Sequence, residues 1–112
     1  AEGAPTAVSR AAGMALTKVL AGELAPHNVL VNALLVGRLK SDQWERRHAA
    51  GASAGSNASL DDYYADMGRT IPLGRVGEAD EFAAVACLLA SDLGGYVTGT
   101  AINVDGGLCP VV

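Results

Sequence analysis

The run Pro72-Leu73-Gly74-Arg75-Val76-Gly77, continuing through Glu78-Ala79-Asp80-Glu81-Phe82 to Tyr96-Val97-Thr98-Gly99-Thr100-Ala101-Ile102-Asn103-Val104-Asp105-Gly106-Gly107, decides the fold. Acids at its front suit the positive end of a helix dipole. Phe82, Val85, Ala86, Leu88 and Leu89 come next at helical spacing, so they are expected to face inward. Gly94-Gly95 then ends the helix, and Thr100–Val104 reads as a strand that stops at Asp105-Gly106-Gly107. A helix returning to a short apolar strand is the closing unit of an α/β sheet.

Upstream, Pro5 or Thr6 through Ala25 reads as one helix, because Val8, Ala11, Ala12, Ala15, Leu16, Val19, Leu20 and Leu24 form an apolar stripe. Thr6 is expected to cap its start and Pro26 to close it. Val29–Val36 is a nearly continuous apolar run between Asn28 and Gly37, the signature of a parallel strand covered on both faces. Gly37 is expected to free the backbone to turn.

Residues 38–71 form a long excursion between that strand and the next helix, the usual place for a lid or substrate loop. Within it, Ser41–His48 suggests a short polar helix with Trp44 on its apolar side. Gly51–Asn57 has loop composition, and Ser59 caps a further helix opened by Asp61 and Asp62. Trp44, Tyr63 and Tyr64 either line a pocket there or pin the excursion to the core.

The chain has 112 residues, room for one small domain. Half are hydrophobic but only 4% are aromatic, so its core must be built from Ala, Val and Leu. A net charge of −4, with no basic cluster beyond Arg46-Arg47, argues against a nucleic-acid surface. The apolar run at 29–35 is too short to span a bilayer, and nothing resembles an export signal. Cys87 and Cys109 show no metal or redox spacing, and both read as reduced thiols of a cytoplasmic protein, Cys87 as a small core residue.

The ordered set Pro72-Leu73-Gly74-Arg75-Val76-Gly77, Leu89-Ala90-Ser91-Asp92, Tyr96-Val97-Thr98-Gly99 and Val104-Asp105-Gly106-Gly107 resembles the C-terminal end of short-chain dehydrogenase/reductases of the ketoacyl-reductase-like sort. The resemblance implies the C-terminal half of a doubly wound Rossmann-type parallel sheet, with helices on both faces. All of 1–112 then belongs to one such domain. It implies NAD or NADP as cofactor, and hydride transfer between NAD(P)H and a small carbonyl or alcohol substrate. A preceding N-terminal half with the glycine-rich phosphate loop would complete the subunit, and a homo-oligomer, dimer or tetramer, is expected.

In that family the first helix carries a Tyr-x-x-x-Lys pair, whose four-residue spacing sets both side chains on one helix face. Aligning Glu23-Leu24-Ala25-Pro26 and Asn32 with the family puts Thr6 and Arg10 at those positions, so neither family residue is present and the catalytic residue is unknown. A Thr hydroxyl has no pKa near neutrality and is no substitute for a phenol. Arg10 is either a cation facing the cofactor ribose or a helix-surface charge.

The resemblance also implies a cofactor contact after the first strand, where the family has a Pro-Gly turn with an apolar residue and a Thr beyond it. Here Val36 replaces Pro, Gly37 is kept, Leu39 takes the apolar position and Ser41 stands for Thr. Independently, ligands of open α/β sheets bind beyond the carboxyl ends of strands. Arg38 and Lys40 flank the spot as phosphate contacts or as solvated charges. His27, His48 and the adjacent Asp61 and Asp62 read as structural, and Arg75 as a brace for the turn before the last helix. Two rivals to an ordinary reductase stand beside it. One is a degenerate subunit that keeps the fold and perhaps the nucleotide for binding or assembly; the other takes its proton from Tyr63 or Tyr64.

Overall fold

A computed structural model describes residues 3–53 and 59–110. The elements run α1 (Ala4–Leu24), β1 (Ala33–Val36), α2 (Asp42–Ser53), α3 (Leu60–Gly68), α4 (Ala79–Ala90) and β2 (Ala101–Val104). The two strands pair directly. Ala33 N–H donates to Thr100 O and Gly37 N–H to Val104 O, a constant offset that makes the pair parallel. The chain divides into two compact units, Ala1–Leu35 with Ala86–Ile102, and Val36–Val85 with Asn103–Val112.

In the first unit α1 starts at Gly3 with Pro5 in its opening turn, where a missing N–H costs nothing. Thr6 therefore lies inside the helix rather than capping it. The apolar stripe forms a helix, but Val8, Leu16 and Val19 are 69, 55 and 54% exposed and only Ala21 is buried. Lys18 Nζ donates to Gly99 O at 2.9 Å, and Gly99, at φ +69°, approaches Ala21 so closely that a Cβ would sit 3.2 Å from its methyl.

The first strand is shorter than its apolar run predicts. Asn28 takes a left-handed φ of 57° after a 3-10 turn, and residues 31 and 32 are tied to segment 97–100 by side-chain bonds and by Gly99 N–H to Val31 O (2.7 Å), outside the regular strand. Val31 N–H donates to Thr98 Oγ1 (3.0 Å), and the Asn32 amide donates to Val97 O (2.7 Å) while accepting from Thr100 N–H (3.3 Å). Strand geometry begins only at Ala33. The strand is also not covered on both faces: Ala33–Leu35 are half-buried, while Val36 and Val29 are exposed. Among the described residues β1 has one neighbour, β2, and burial on both faces needs more layers than that.

The second unit holds the core of buried Tyr64, Met67, Ile71 and Val76, with Trp44, Leu60, Tyr63 and Leu108 packed against it. Thus the excursion 38–71 supplies most of a hydrophobic cluster, and Trp44, Tyr63 and Tyr64 act as its pins. Ser59 caps α3 in a full capping box: its hydroxyl accepts from Asp62 N–H, and the Asp62 carboxylate accepts from Ser59 N–H. The Ser59 hydroxyl also donates to the Asp62 carboxylate at 2.7 Å, and this bond, with that from Ser59 N–H, holds the Asp62 carboxyl below its ordinary pKa. Helix α2 runs on through Gly51-Ala52-Ser53, which composition assigns to a loop; residues 54–57 of that expected loop lie outside the described residues. His48 stands in this helix with its ring 5.4 Å from that of Tyr63.

Helix α4 places Phe82, Val85, Ala86 and Leu89 in half-buried positions. Leu88 and Cys87 are exposed, against the expectation that both face inward. With so few large side chains to cover it, α4 has no fully buried residue.

Candidate functional site

The carboxyl ends of both strands lie in the second unit, and the turns beyond them are built by close backbone approach. A Cβ on Gly37 would meet Asp105 Cα at 2.4 Å, so only glycine fits. Gly37 is needed for this approach rather than for a positive φ, which it does not adopt. The Asp105 carboxylate accepts from Gly107 N–H and Cys109 N–H, both at 2.9 Å, fixing a turn in which Gly106 and Gly107 have φ of +67° and +85°. Leu73 N–H donates to Gly106 O at 3.1 Å and ties that turn to the segment before α4.

Leu39 forms a parallel bridge with Gly77. Gly77 makes both bonds, donating to Arg38 O (3.0 Å) and accepting from Lys40 N–H (2.9 Å). In a parallel ladder the opposite residue then directs its own N–H and C=O to the other side. Leu39 therefore presents one donor and one acceptor, spaced like those of an extended strand, away from Gly77. A pocket of about 220 Å³ opens beside this bridge, lined among others by Arg38, Leu39, Arg75, Gly77, Glu81 and Asp105.

The charged groups around it are paired. Arg75 grips Glu81 with two bonds of 2.8 and 2.6 Å, and Glu81 also accepts from Glu78 N–H at 2.8 Å. The Arg75 guanidinium, seconded by the Glu78 amide, pulls the Glu81 carboxyl down to about 2. Lys40 Nζ lies 2.5 Å from Glu78, which raises the lysine pKa, and Arg38 donates to Thr70 Oγ1 at 2.9 Å. Arg38 and Lys40 thus each have a partner within the chain. Arg75 braces its turn mainly through a carboxylate; its one carbonyl contact, to Val76 O, is 3.4 Å.

Of the residues singled out in the sequence, Val36, Gly37, Leu39 and Ser41 come together at this strand end. Val36 is exposed, and Ser41 backbone faces the Tyr64 hydroxyl at 3.4–3.5 Å. Thr6 and Arg10 belong to the other unit, exposed on α1. Gly77 and Glu81 escaped sequence reasoning, although Glu81 three residues after Glu78 at a helix start carries the half-box signal. Among the described residues no cluster of His, Cys, Asp and Glu is arranged to hold a metal ion, and no helix is long and apolar enough to cross a membrane.

Comparison with known proteins adds the lineage. The enoyl-(acyl carrier protein) reductase family profile matches residues 2–109. The 3-oxoacyl-(acyl-carrier-protein) reductase FabG of Aquifex aeolicus is 38% identical over 100 residues, covering 89% of this chain and 36% of that protein. Tetrahydroxynaphthalene reductase of Pyricularia oryzae is 35% identical over 104 residues, covering 90% of this chain and 36% of that enzyme. Among solved structures, an NADPH-bound short-chain oxidoreductase of Pseudomonas aeruginosa with an atypical catalytic centre superposes with a TM-score of 0.83. It is 38% identical, with 96% of this chain and 39% of that one covered. The chain thus spans a little over a third of the length of the relatives it matches, and its strands and helices are part of a Rossmann-type α/β domain. With the residue motifs, the strand-end geometry and these similarities in agreement, the chain belongs to the short-chain dehydrogenase/reductase family.

Proposed function

We propose that this chain is the C-terminal part of an NAD(P)H-dependent oxidoreductase that transfers hydride between the dinucleotide and a carbonyl or alcohol substrate. The observation that carries the reading is the Gly37–Leu39 turn: a glycine pressed onto Asp105, then a residue whose amide donor and acceptor point away from the Gly77 bridge. That pair suits a nicotinamide carboxamide, which offers one acceptor and two donors. When bound, the dinucleotide supplies or takes up the hydride. Leu39 backbone orients its carboxamide, Gly37 permits the close approach to Asp105, and Val36 and Ser41 flank the contact.

Thr6 and Arg10 at the positions of the family's Tyr and Lys leave the proton donor unassigned. The similar Pseudomonas aeruginosa oxidoreductase, with its atypical catalytic centre, supports activity without the usual pair. Relatives that are reductases favour this reading over a non-catalytic subunit. The share of each relative that is matched, with β2 the one neighbour of β1 among the described residues, supports completion by a dinucleotide-binding segment of a longer polypeptide, and assembly into a homo-oligomer is proposed from the family resemblance alone.

The test is fluorescence titration of the full-length protein with NADH and NADPH, and then turnover with aldehydes, ketones and quinones. Saturable binding and carbonyl-dependent oxidation of the dinucleotide are expected. Absence of binding defeats the proposal, and binding without turnover over the whole panel replaces it with the degenerate subunit. Tyr64 is 7% exposed and its hydroxyl faces Ser41 backbone, so Tyr64→Phe is expected to keep turnover; its loss would make Tyr64 the relocated proton donor.

A further inference from the structure

The loop that carries Leu39 is bonded to Gly77 through both of that residue's backbone groups, beside the side-chain contacts of Arg38 with Thr70 and of Lys40 with Glu78. Gly77 in turn lies between Arg75 and Glu81, and those two are joined by a forked pair. Glu81 also accepts from Glu78 N–H, so one carboxylate fastens the start of α4 and the preceding turn together. A Cβ on Gly77 would lie 2.7 Å from the Leu39 side chain, which shows how tightly the two segments are pressed. All of these groups belong to the second unit.

We infer that Arg75 and Glu81 are a pair of positioning residues for cofactor binding: their fork fixes the turn bearing Gly77, and Gly77 sets the direction of the Leu39 amide. Neither side chain needs to touch the dinucleotide. The inference rests on the proposed function, because it assigns the purpose of the strap to the cofactor contact at Leu39. Arg is required because its planar guanidinium grips both carboxylate oxygens at once, whereas an ammonium group makes a point contact and leaves the turn free to rotate.

The experiment uses the full-length protein and its Arg75→Ala and Arg75→Lys variants, with NADH and NADPH titrations beside residue-resolved hydrogen exchange. The Lys40 amide, bonded to Gly77 O, reports the strap; the Gly99 amide, bonded to Val31 O in the other unit, reports general loosening. Arg75→Ala is expected to speed exchange at Lys40 about tenfold and to weaken dinucleotide binding about tenfold, with Gly99 unchanged, as a lost factor of ten corresponds to about 1.4 kcal/mol. Arg75→Lys is expected to fall between Arg75→Ala and the wild type in both readouts. A purely structural brace would move Lys40 and Gly99 alike, or speed exchange at Lys40 with the dissociation constant unchanged; either result overturns the inference and leaves the proposed function standing. Unchanged Lys40 exchange in Arg75→Ala overturns it as well. If the wild type binds neither dinucleotide, the proposed function falls and the inference falls with it.

Discussion

The two units of this chain use their apolar residues differently. In the unit formed by 36–85 and 103–112, Tyr64, Met67, Ile71 and Val76 are 4–8% exposed and make a true core. In the unit formed by 1–35 and 86–102, Val8, Leu16, Val19, Leu88 and Leu93 are 48–85% exposed, and among the described residues Ala21 is the buried hydrophobic one. Apolar residues recur at helical spacing in α1 too, but the periodicity is weaker than in α2, α3 or α4, and it yields no buried face there. An apolar stripe specifies a helix and a surface to be covered; burial depends on a layer to cover it. The excursion contributes its own layer by folding two short helices onto the turn before α4.

The largest expected effect breaks that core. Ile71→Ala removes a side chain that is 4% exposed and should cost about 2–5 kcal/mol in urea unfolding. A loss below about 1 kcal/mol would mean that the second unit is no better packed than the first. Gly37→Ala comes next: its methyl would overlap Asp105 Cα, and overpacking of this kind costs about 1–3 kcal/mol. Ser59→Ala removes the acceptor of the capping box and should cost about 1 kcal/mol. Val19→Ala, on the exposed face of α1, should stay within about 0.5 kcal/mol. A loss as large as that of Ile71→Ala in the full-length protein would show that its face is covered there.

Acid should act on the second unit through its carboxylates. Glu81 has a folded pKa of about 2 against an ordinary 4.5, held down by Arg75 and the Glu78 amide. A depressed carboxylate stabilises the fold above its ordinary pKa, and that contribution fades as pH falls from 4.5 towards 2. Asp62, lowered by its bonds to Ser59, acts in the same direction. Glu81→Gln should therefore flatten the acid limb of stability between those limits, measured as urea midpoints across pH. An unchanged acid limb would remove Glu81 from the account.

Much of this architecture is legible in the sequence, and the failures have physical causes. Helix α3 with its Ser59 cap and the strand ending at Val104 are written locally, in side chains that bond to nearby backbone or alternate along it. The first strand is over-read because Val29–Asn32 has strand composition, while Thr98 Oγ1 takes the Val31 N–H and the Asn32 side chain bonds the backbone of Val97 and Thr100, contacts that no periodicity reveals. Gly51–Ser53 is under-read because loop composition is overridden once a helix is already running. At the site, Val36, Gly37, Leu39 and Ser41 are found through their order after the strand. Gly77 and Asp105 are not, because each meets a distant segment through backbone atoms that carry no residue-type signal. Glu81 is missed because an acid in the first turn of a helix already has a sufficient local reason to be there.

The most direct test is to follow the Leu39 backbone amide of the full-length protein by hydrogen exchange during titration with NADPH and NADH. One of the two dinucleotides is expected to protect Leu39 and its neighbours at saturation, and Gly37→Ala to weaken both binding and protection. Saturation with no change at residues 37–41 would contradict a cofactor contact at Leu39.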